Sequence, residues 1–117
     1  MDKAEVISRL TVLLEQRKSA DPEASYVARL YGKGREKIAQ KVGEEAVELA
    51  IAAVGAKGDT AAMTSEAADL MFHMMVLLAD AGLSLDDVFD ELARREGLSG
   101  IDEKAARSGQ PNRQEQA

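Results

Sequence analysis

Residues 41–54 read KVGEEAVELAIAAV, and residues 66–79 read EAADLMFHMMVLLA. Both stretches lack proline and are rich in alanine, leucine and methionine, so each predicts a long helix. From Ala46 to Val54 the only polar residue is Glu48. From Ala67 to Ala79 the only polar residues are Asp69 and His73. A helix that is apolar on nearly all sides is typically buried on nearly all sides. We therefore expect Glu48 and Asp69 to lie at or near the interior.

The rest of the chain also favours helices, because only Pro22 and Pro111 interrupt it. We predict an all-α fold, an antiparallel bundle in which the two apolar helices form a hairpin. The four main helices are expected at about 2–18, 35–54, 60–81 and 84–96. A short helix or turn at 23–31 should follow an Asp21 cap with Pro22, and a further short helix is expected at 101–107. Residues 1–108 are expected to be one domain, and residues 109–117 a disordered polar tail.

Composition excludes several classes of protein. The chain has 117 residues and no cysteine, so it has no disulfide and no thiolate metal site. Its net charge of −6 disfavours sequence-independent binding to nucleic acid. The longest apolar run, 70–79, is about half of what a bilayer requires, and the N-terminus has no signal-peptide pattern. We expect a cytoplasmic protein that binds neither nucleic acid nor membrane.

Acidic residues recur at helical spacing inside the two apolar stretches. Glu45 and Glu48 are three residues apart, as are Glu66 and Asp69, so each pair lies on one helix face. In an antiparallel hairpin the two pairs can converge, with Glu44 beside Glu48. Four carboxylates carry a charge near −4, which about two divalent cations would neutralise. Oxygen ligands favour Mg²⁺ first and Mn²⁺ second. The alternative is an acidic face exposed to solvent.

Basic residues precede this acidic cluster along the chain. Phosphate groups would fit between bound cations and these side chains. The alternative is ordinary pairing with carboxylates one helical turn away. The candidate phosphate-binding residues are Arg29, Lys33, Lys37 and Lys41.

The single histidine, His73, is four residues after Asp69 and therefore on the same helix face. Its position would let it support the site by orienting the Asp69 carboxylate. A lone histidine in an apolar helix is, however, more often a core residue whose hydrogen bonds are satisfied.

Two motifs carry a resemblance to a known family. The arrangement Glu44-Glu45-x-x-Glu48 followed by Glu66-x-x-Asp69 resembles the MazG-like superfamily of all-α nucleoside triphosphate pyrophosphatases. The stretches SYVARL at 25–30 and KVGEEAVE at 41–48 are similar to its phosphoribosyl-ATP pyrophosphatase branch. The resemblance covers about residues 6–107.

The resemblance implies a homodimeric, Mg²⁺-dependent hydrolase. It would convert phosphoribosyl-ATP to phosphoribosyl-AMP and pyrophosphate in histidine biosynthesis, by attack of a metal-activated water at the α-phosphorus. It implies that Glu44 is either a ligand or the base that orients this water, with Glu45 and Glu48 also catalytic. The implied metal ligands are Glu45, Glu48, Glu66 and Asp69.

Two other functions are compatible with parts of the pattern, and a third is not. A pyrophosphatase that removes unwanted dNTPs would share the acidic residues. A non-catalytic helical dimerisation module would share only the fold, and it would leave buried carboxylates uncompensated. A di-iron carboxylate bundle usually has two Glu-x-x-His motifs, and one histidine cannot supply them.

Overall fold

The structure is a computed structural model that describes residues 1–55 and 59–96. Within them are five α-helices, one short 3₁₀ helix and no strand, which confirms the all-α prediction. The α-helices are α1 (Lys3–Gln16), α2 (Tyr26–Lys33), α3 (Arg35–Gly55), α4 (Thr60–Asp80) and α5 (Leu85–Arg95), and the 3₁₀ helix is Arg17–Ser19. The chain divides into two units, Met1–Leu85 and Asp86–Ala117, which are described separately. The helix predicted at 101–107 and the tail at 109–117 lie outside the described residues.

Short polar side chains begin three of the helices. Asp2 accepts a hydrogen bond from the backbone N–H of Ala4 at 2.9 Å, and Asp59 accepts one from Ala62 at 2.9 Å. Ser25 caps α2 in the same way. Each bond satisfies one of the N–H groups that the first turn of a helix leaves unpaired.

The Asp21 cap was predicted wrongly. Asp21 Oδ1 accepts from the N–H of Glu23 at 2.9 Å, which closes a local turn instead of starting a helix. Residues 22–24 are turn, and α2 begins only after Ser25. An aspartate before a proline is common both at the start of a helix and in a turn, so the local sequence did not distinguish between the two.

One residue, Gly34, connects α2 to α3. Its φ is +97°, a conformation that residues with a side chain rarely adopt. Its N–H bonds to the carbonyl oxygens of Leu30 and Tyr31, both at 3.2 Å, and so ends α2. The chain therefore passes from α2 to α3 through a single residue.

The long helices α3 and α4 form the predicted antiparallel hairpin. Residues 56–58 connect one pair of ends, and Arg35 joins the other pair to Asp80. Arg35 Nε lies 2.8 Å from Asp80 Oδ2, and Arg35 Nη2 donates to the Asp80 carbonyl oxygen at 3.1 Å. The pairing fixes the beginning of α3 beside the end of α4.

The core of the first unit uses side chains from α1 to α4. Leu14, Leu30, Ile38 and Val76 are almost completely buried, and each belongs to a different helix. The burial of one such side chain contributes about 1.5–3 kcal/mol to the free energy of unfolding. The Tyr31 hydroxyl also donates to the Leu14 carbonyl oxygen at 2.9 Å, which ties α2 to α1.

In a single chain, one side of the α3–α4 hairpin has no other helix of the described first unit packed on it. The prediction that these two helices are buried on nearly all sides is therefore wrong for a single chain. Val47, Ile51 and Val54 share one side of α3 and are 59%, 61% and 86% exposed. On α4, Met71 is also exposed and lies in an apolar groove of about 440 Å³ next to α1. We call Val47, Ile51 and Val54 the uncovered apolar face.

The second unit contains most of α5, which has acidic residues in its first turn and arginines in its last. This order suits the helix dipole. Glu91 accepts hydrogen bonds from Arg94 and Arg95, and these bonds lower its pKa to about 2.

No single helix among residues 1–55 and 59–96 is long and apolar enough to cross a membrane.

Candidate active site

Three carboxylates meet between the two helices of the hairpin. Glu45 and Glu48, one turn apart on α3, face Glu66 on α4, and one oxygen of each lies within 4.8 Å of the others. We call these three residues the acidic cluster. They are three of the four predicted ligands. The fourth, Asp69, is one turn further along α4, is exposed, and is not part of this group.

Two oxygen atoms of the acidic cluster are buried without a hydrogen-bond partner among the described residues. They are Glu45 Oε2 and Glu66 Oε2. An unsatisfied buried polar atom costs about 1–3 kcal/mol, and more if it is charged. Native proteins rarely leave such atoms unpaired unless a ligand or an ion completes them. The arrangement therefore favours a cation bound between these carboxylates.

The buried member of the cluster on α3 is Glu45, which is 7% exposed, and not Glu48. Glu48 and Asp69 are both exposed, so the prediction that they lie in the interior is wrong for this chain alone. Val47, next to Glu48 on α3, belongs to the uncovered apolar face, and Met71, two residues after Asp69 on α4, is also exposed. A helix with apolar residues around it is buried only where something packs on it.

Lys41 lies beside the acidic cluster, one turn before Glu45. Its Nζ is 3.5 Å from Glu45 Oε1 and 3.8 Å from Glu44 Oε1. Partial desolvation lowers the pKa of Lys41, but the electrostatic effects of Tyr26, Glu45 and Glu44 outweigh it and raise this pKa overall. The ammonium group thus stays charged and faces one Glu45 oxygen, while the other oxygen is left without a partner.

Glu44 differs from the three cluster residues. It is exposed, and its Oε2 accepts a hydrogen bond from Gln40 Nε2 at 3.2 Å. Its Oε1 faces Lys41, so both of its oxygens already have a partner. Glu44 therefore lies outside the acidic cluster.

The composition of the acidic cluster suits a hard divalent cation. Glu45, Glu48 and Glu66 offer only oxygen ligands, and two of those oxygens need a partner. Mg²⁺ and Mn²⁺ prefer carboxylate and water ligands.

Comparison with known proteins places the chain in a family. The family model described as phosphoribosyl-ATP pyrophosphohydrolase matches residues 7–96, which include every residue of the site. The chain belongs to the phosphoribosyl-ATP pyrophosphohydrolase family. The acidic cluster and Lys41 lie within the part of the chain that matches the family model.

Curated relatives of the family cover most of this chain. The phosphoribosyl-ATP pyrophosphatase of Azospirillum brasilense is 60% identical over 104 residues, which are 89% of this chain and 92% of the relative. The protein of the same name from Rhizorhabdus wittichii is 57% identical over 86% of this chain and 93% of its own length. The one from Novosphingobium aromaticivorans is 53% identical over 92% of this chain and 99% of its own length.

His73 makes different contacts from the one predicted. It is 7% exposed, and its Nδ1 lies 2.8 Å from the backbone oxygen of Asp69, not from the Asp69 carboxylate. Its Nε2 lies 2.8 Å from the Tyr26 hydroxyl. Sequence reasoning did not predict this contact between Tyr26 and His73. The signal was the place of Tyr26 in the SYVARL stretch, since no local spacing connects it to a residue 47 positions away.

The other predicted phosphate-binding residues of this family member lie near the connection between α2 and α3. Lys33 is in the last turn of α2, and Lys37 is on α3, one turn before Lys41. Within the described part of the chain, neither has a carboxylate at ion-pair distance. Arg29 donates from Nη1 to the carbonyl oxygen of Pro22 at 2.9 Å. The lysines are thus more available to a phosphate than Arg29 is.

Proposed function

We propose that this chain hydrolyses phosphoribosyl-ATP to phosphoribosyl-AMP and pyrophosphate, the second step of histidine biosynthesis. Membership of the family and the names of relatives more than 50% identical support this substrate. The observation that carries the proposal is the acidic cluster with its two unpartnered buried oxygens. A cluster of this kind suits catalysis on a phosphoric anhydride, since such a reaction needs cations to offset phosphate charge.

The cation we propose is Mg²⁺, with Mn²⁺ as a substitute. Glu45, Glu48 and Glu66 would hold it, and Asp69 is the proposed additional ligand one turn along α4. When bound, Mg²⁺ supplies Lewis-acid polarisation of phosphate oxygens and neutralises part of their charge.

The chain's own side chains supply the other parts of the proposed reaction. A water molecule attacks the α-phosphorus, the bond from this phosphorus to the bridging oxygen breaks, and pyrophosphate leaves with the bonding electrons. Glu44 orients this water and accepts its proton, because it is accessible and lies outside the acidic cluster. Lys33, Lys37 and Lys41 bind phosphate oxygens, with Arg29 contributing at longer range.

A homodimer is part of the proposed function. Monomeric proteins rarely expose large apolar patches, and the uncovered apolar face lies on α3, the helix that carries Glu45 and Glu48. A second copy of the chain packing there would bury Ile51 and enclose Glu48. Ile51→Glu should therefore produce a monomer in sedimentation velocity. Val12→Glu, an exposed apolar position on α1, is the matched control and should leave the dimer intact.

Product analysis tests the reaction directly. Purified protein is incubated with Mg²⁺ and phosphoribosyl-ATP, and in parallel with each dNTP, and pyrophosphate is quantified. Release from phosphoribosyl-ATP with little from dNTPs is the expected result. Release from dNTPs alone would replace the substrate with those of a nucleotide-pool enzyme. No release from any substrate would reject hydrolysis and favour a non-catalytic dimerisation module.

A further inference from the structure

The apolar groove between α1 and α4 has no role in the reaction proposed above. Its volume of about 440 Å³ lies within the range of about 300–1,000 Å³ that is typical of small-molecule pockets. Such pockets are mostly apolar, with a small number of polar groups. The apolar lining of this groove consists of Ile7 and Leu10 from α1 and of Ala68, Met71, Phe72 and Met75 from α4.

One residue connects the groove with the acidic cluster. Asp69 lines the groove, and it is also the proposed additional ligand, three residues after Glu66 on α4. Three residues of a helix advance about 4.5 Å along its axis. A ligand whose phosphates are bound at the acidic cluster can therefore extend its other end past Asp69 into the groove.

The charge of the lining indicates which end of a nucleotide the groove would take. Asp69 is the one charged residue among those that line the groove in the described part of the chain. A phosphate placed there would lose its hydration and meet a carboxylate instead of a counter-ion. A purine base is uncharged and flat, and its faces are apolar, so it suits this lining where a phosphate does not.

Phe72 is the aromatic residue of the groove, and its ring is held by its neighbours. It meets the His73 ring edge to face at 5.6 Å between centroids. His73 is 7% exposed, and its two ring nitrogens lie 2.8 Å from the Asp69 backbone oxygen and 2.8 Å from the Tyr26 hydroxyl. A ring that is fixed before binding loses little conformational freedom when a base stacks on it.

We propose that the groove between α1 and α4 binds the purine base of the nucleotide substrate, with Phe72 as the stacking surface. This inference rests on the proposed function, in which the acidic cluster holds the phosphate end through a cation. One ribose separates the base from the α-phosphorus, so a base held in the groove orients this phosphorus relative to the cluster. A second copy of the chain has a different place, the uncovered apolar face of α3.

NMR of methionine methyl groups tests whether a base occupies the groove. Protein labelled with carbon-13 at these methyl groups is titrated, in the presence of Mg²⁺, with AMP or with ribose 5-phosphate, which lacks the base. AMP should shift the signals of Met71 and Met75, and ribose 5-phosphate should not. Met63, on the same helix but outside the groove lining, is the reference and should respond equally to both ligands.

Two results of this titration would overturn the proposal. One is that AMP leaves the two groove signals unchanged, or shifts them no more than ribose 5-phosphate does. The other is that these signals move with protein concentration and not with AMP, which would show that a second copy of the chain fills the groove.

The two phenylalanines of the chain provide a matched pair of variants. Phe72→Leu keeps an apolar side chain and removes the ring, and it should weaken AMP binding about tenfold through the loss of stacking. KM for phosphoribosyl-ATP should rise by a similar factor with little change in kcat. Phe89→Leu removes a ring that is 45% exposed on α5, and it should leave both quantities unchanged. Equal effects of the two variants would reject the purine site, and thermal unfolding verifies that both are folded.

Calorimetric binding of inorganic pyrophosphate, which has no base, separates the loss of stacking from general damage to the site. In the presence of Mg²⁺, its Kd should be the same for the wild type and Phe72→Leu. A parallel loss of pyrophosphate and AMP binding would show that Phe72 only supports the fold, and the proposal would be wrong. Failure of the proposed function gives a different result, since AMP would still occupy the groove while phosphoribosyl-ATP is not turned over.

Discussion

Glu91 and Glu45 are glutamates on helices with basic residues one turn away, yet their surroundings differ. Glu91 accepts hydrogen bonds from Arg94 at 2.7 and 3.0 Å and from Arg95 at 2.9 Å, so both of its oxygens are occupied. Glu45 has one oxygen 3.5 Å from Lys41, and its other oxygen is buried without a partner. A carboxylate whose oxygens are hydrogen-bonded by side chains of its own helix requires no ligand. Glu45 has an oxygen without a partner, and two other carboxylates lie beside it.

The difference arises from burial and not from spacing along the chain. Arg94 and Arg95 are well exposed and can extend around α5 to reach Glu91. Glu45 lies under the contact of α3 with α4, where Lys41 reaches only its outer oxygen. Ion pairs of exposed side chains generally contribute about 0–1 kcal/mol, whereas an unpaired buried carboxylate is destabilising. Of the two glutamates, only Glu45 is expected to control function.

The largest expected effect follows from removing the charge of each glutamate in turn. Glu45→Gln should lower kcat/KM for phosphoribosyl-ATP more than 100-fold, because loss even of a residue that only supports a metal ligand costs about 10- to 100-fold. Glu91→Gln has the same chemistry at a site that is already complete, and it should retain wild-type activity. Steady-state kinetics of the two variants measures the contrast. Near-normal turnover by Glu45→Gln would remove the acidic cluster from the mechanism.

The next effect is on thermal stability. Mg²⁺ at about 100 times its Kd stabilises the folded state by about 2.7 kcal/mol, which for a domain of this size raises Tm by on the order of 10 °C. The shift should be lost after EDTA treatment and in Glu45→Gln and Glu66→Gln. Without metal, these variants should melt at or above the wild-type Tm, since an uncompensated buried charge is gone. A wild-type Tm that does not depend on Mg²⁺ would contradict the proposed cation site.

The smallest effect concerns the pH dependence of Glu91. Hydrogen bonds from Arg94 and then Arg95 lower its pKa from 4.5 to about 2 in the folded protein. Because the folded pKa is below the unfolded one, the stabilisation is complete above about pH 4.5 and is lost as the pH falls toward 2. Carbon-13 NMR of the Glu91 carboxyl should show a titration midpoint near 2, and replacing Arg94 and Arg95 by Gln should return it toward 4.5. A midpoint near 4.5 in the wild type would show that the ion pairs do not persist in solution.

The sequence predicted those parts of the site that depend on local spacing. One turn on α3 relates Glu45 to Glu48, and the glycine-containing sequence 55–59 predicted a reversal of the chain, so Glu66 was expected opposite them. It did not predict which glutamate is buried, because burial depends on the side of α3 that the rest of the chain covers. Nor did it predict the contact of Tyr26 with His73, since residues on separate helices meet only through the tertiary fold.

The ion pair between Arg35 and Asp80 has a consequence for the alignment of the two long helices. It lies at the opposite end of the hairpin from the connection at 56–58, so α3 and α4 are tied at both ends. Sliding one helix past the other by a single turn would move its side chains by about 5.4 Å. That displacement exceeds the 4.8 Å within which the oxygens of the acidic cluster lie. The Arg35–Asp80 ion pair, about ten residues from Glu45 along α3, thus keeps α3 and α4 in the alignment that brings the three carboxylates together.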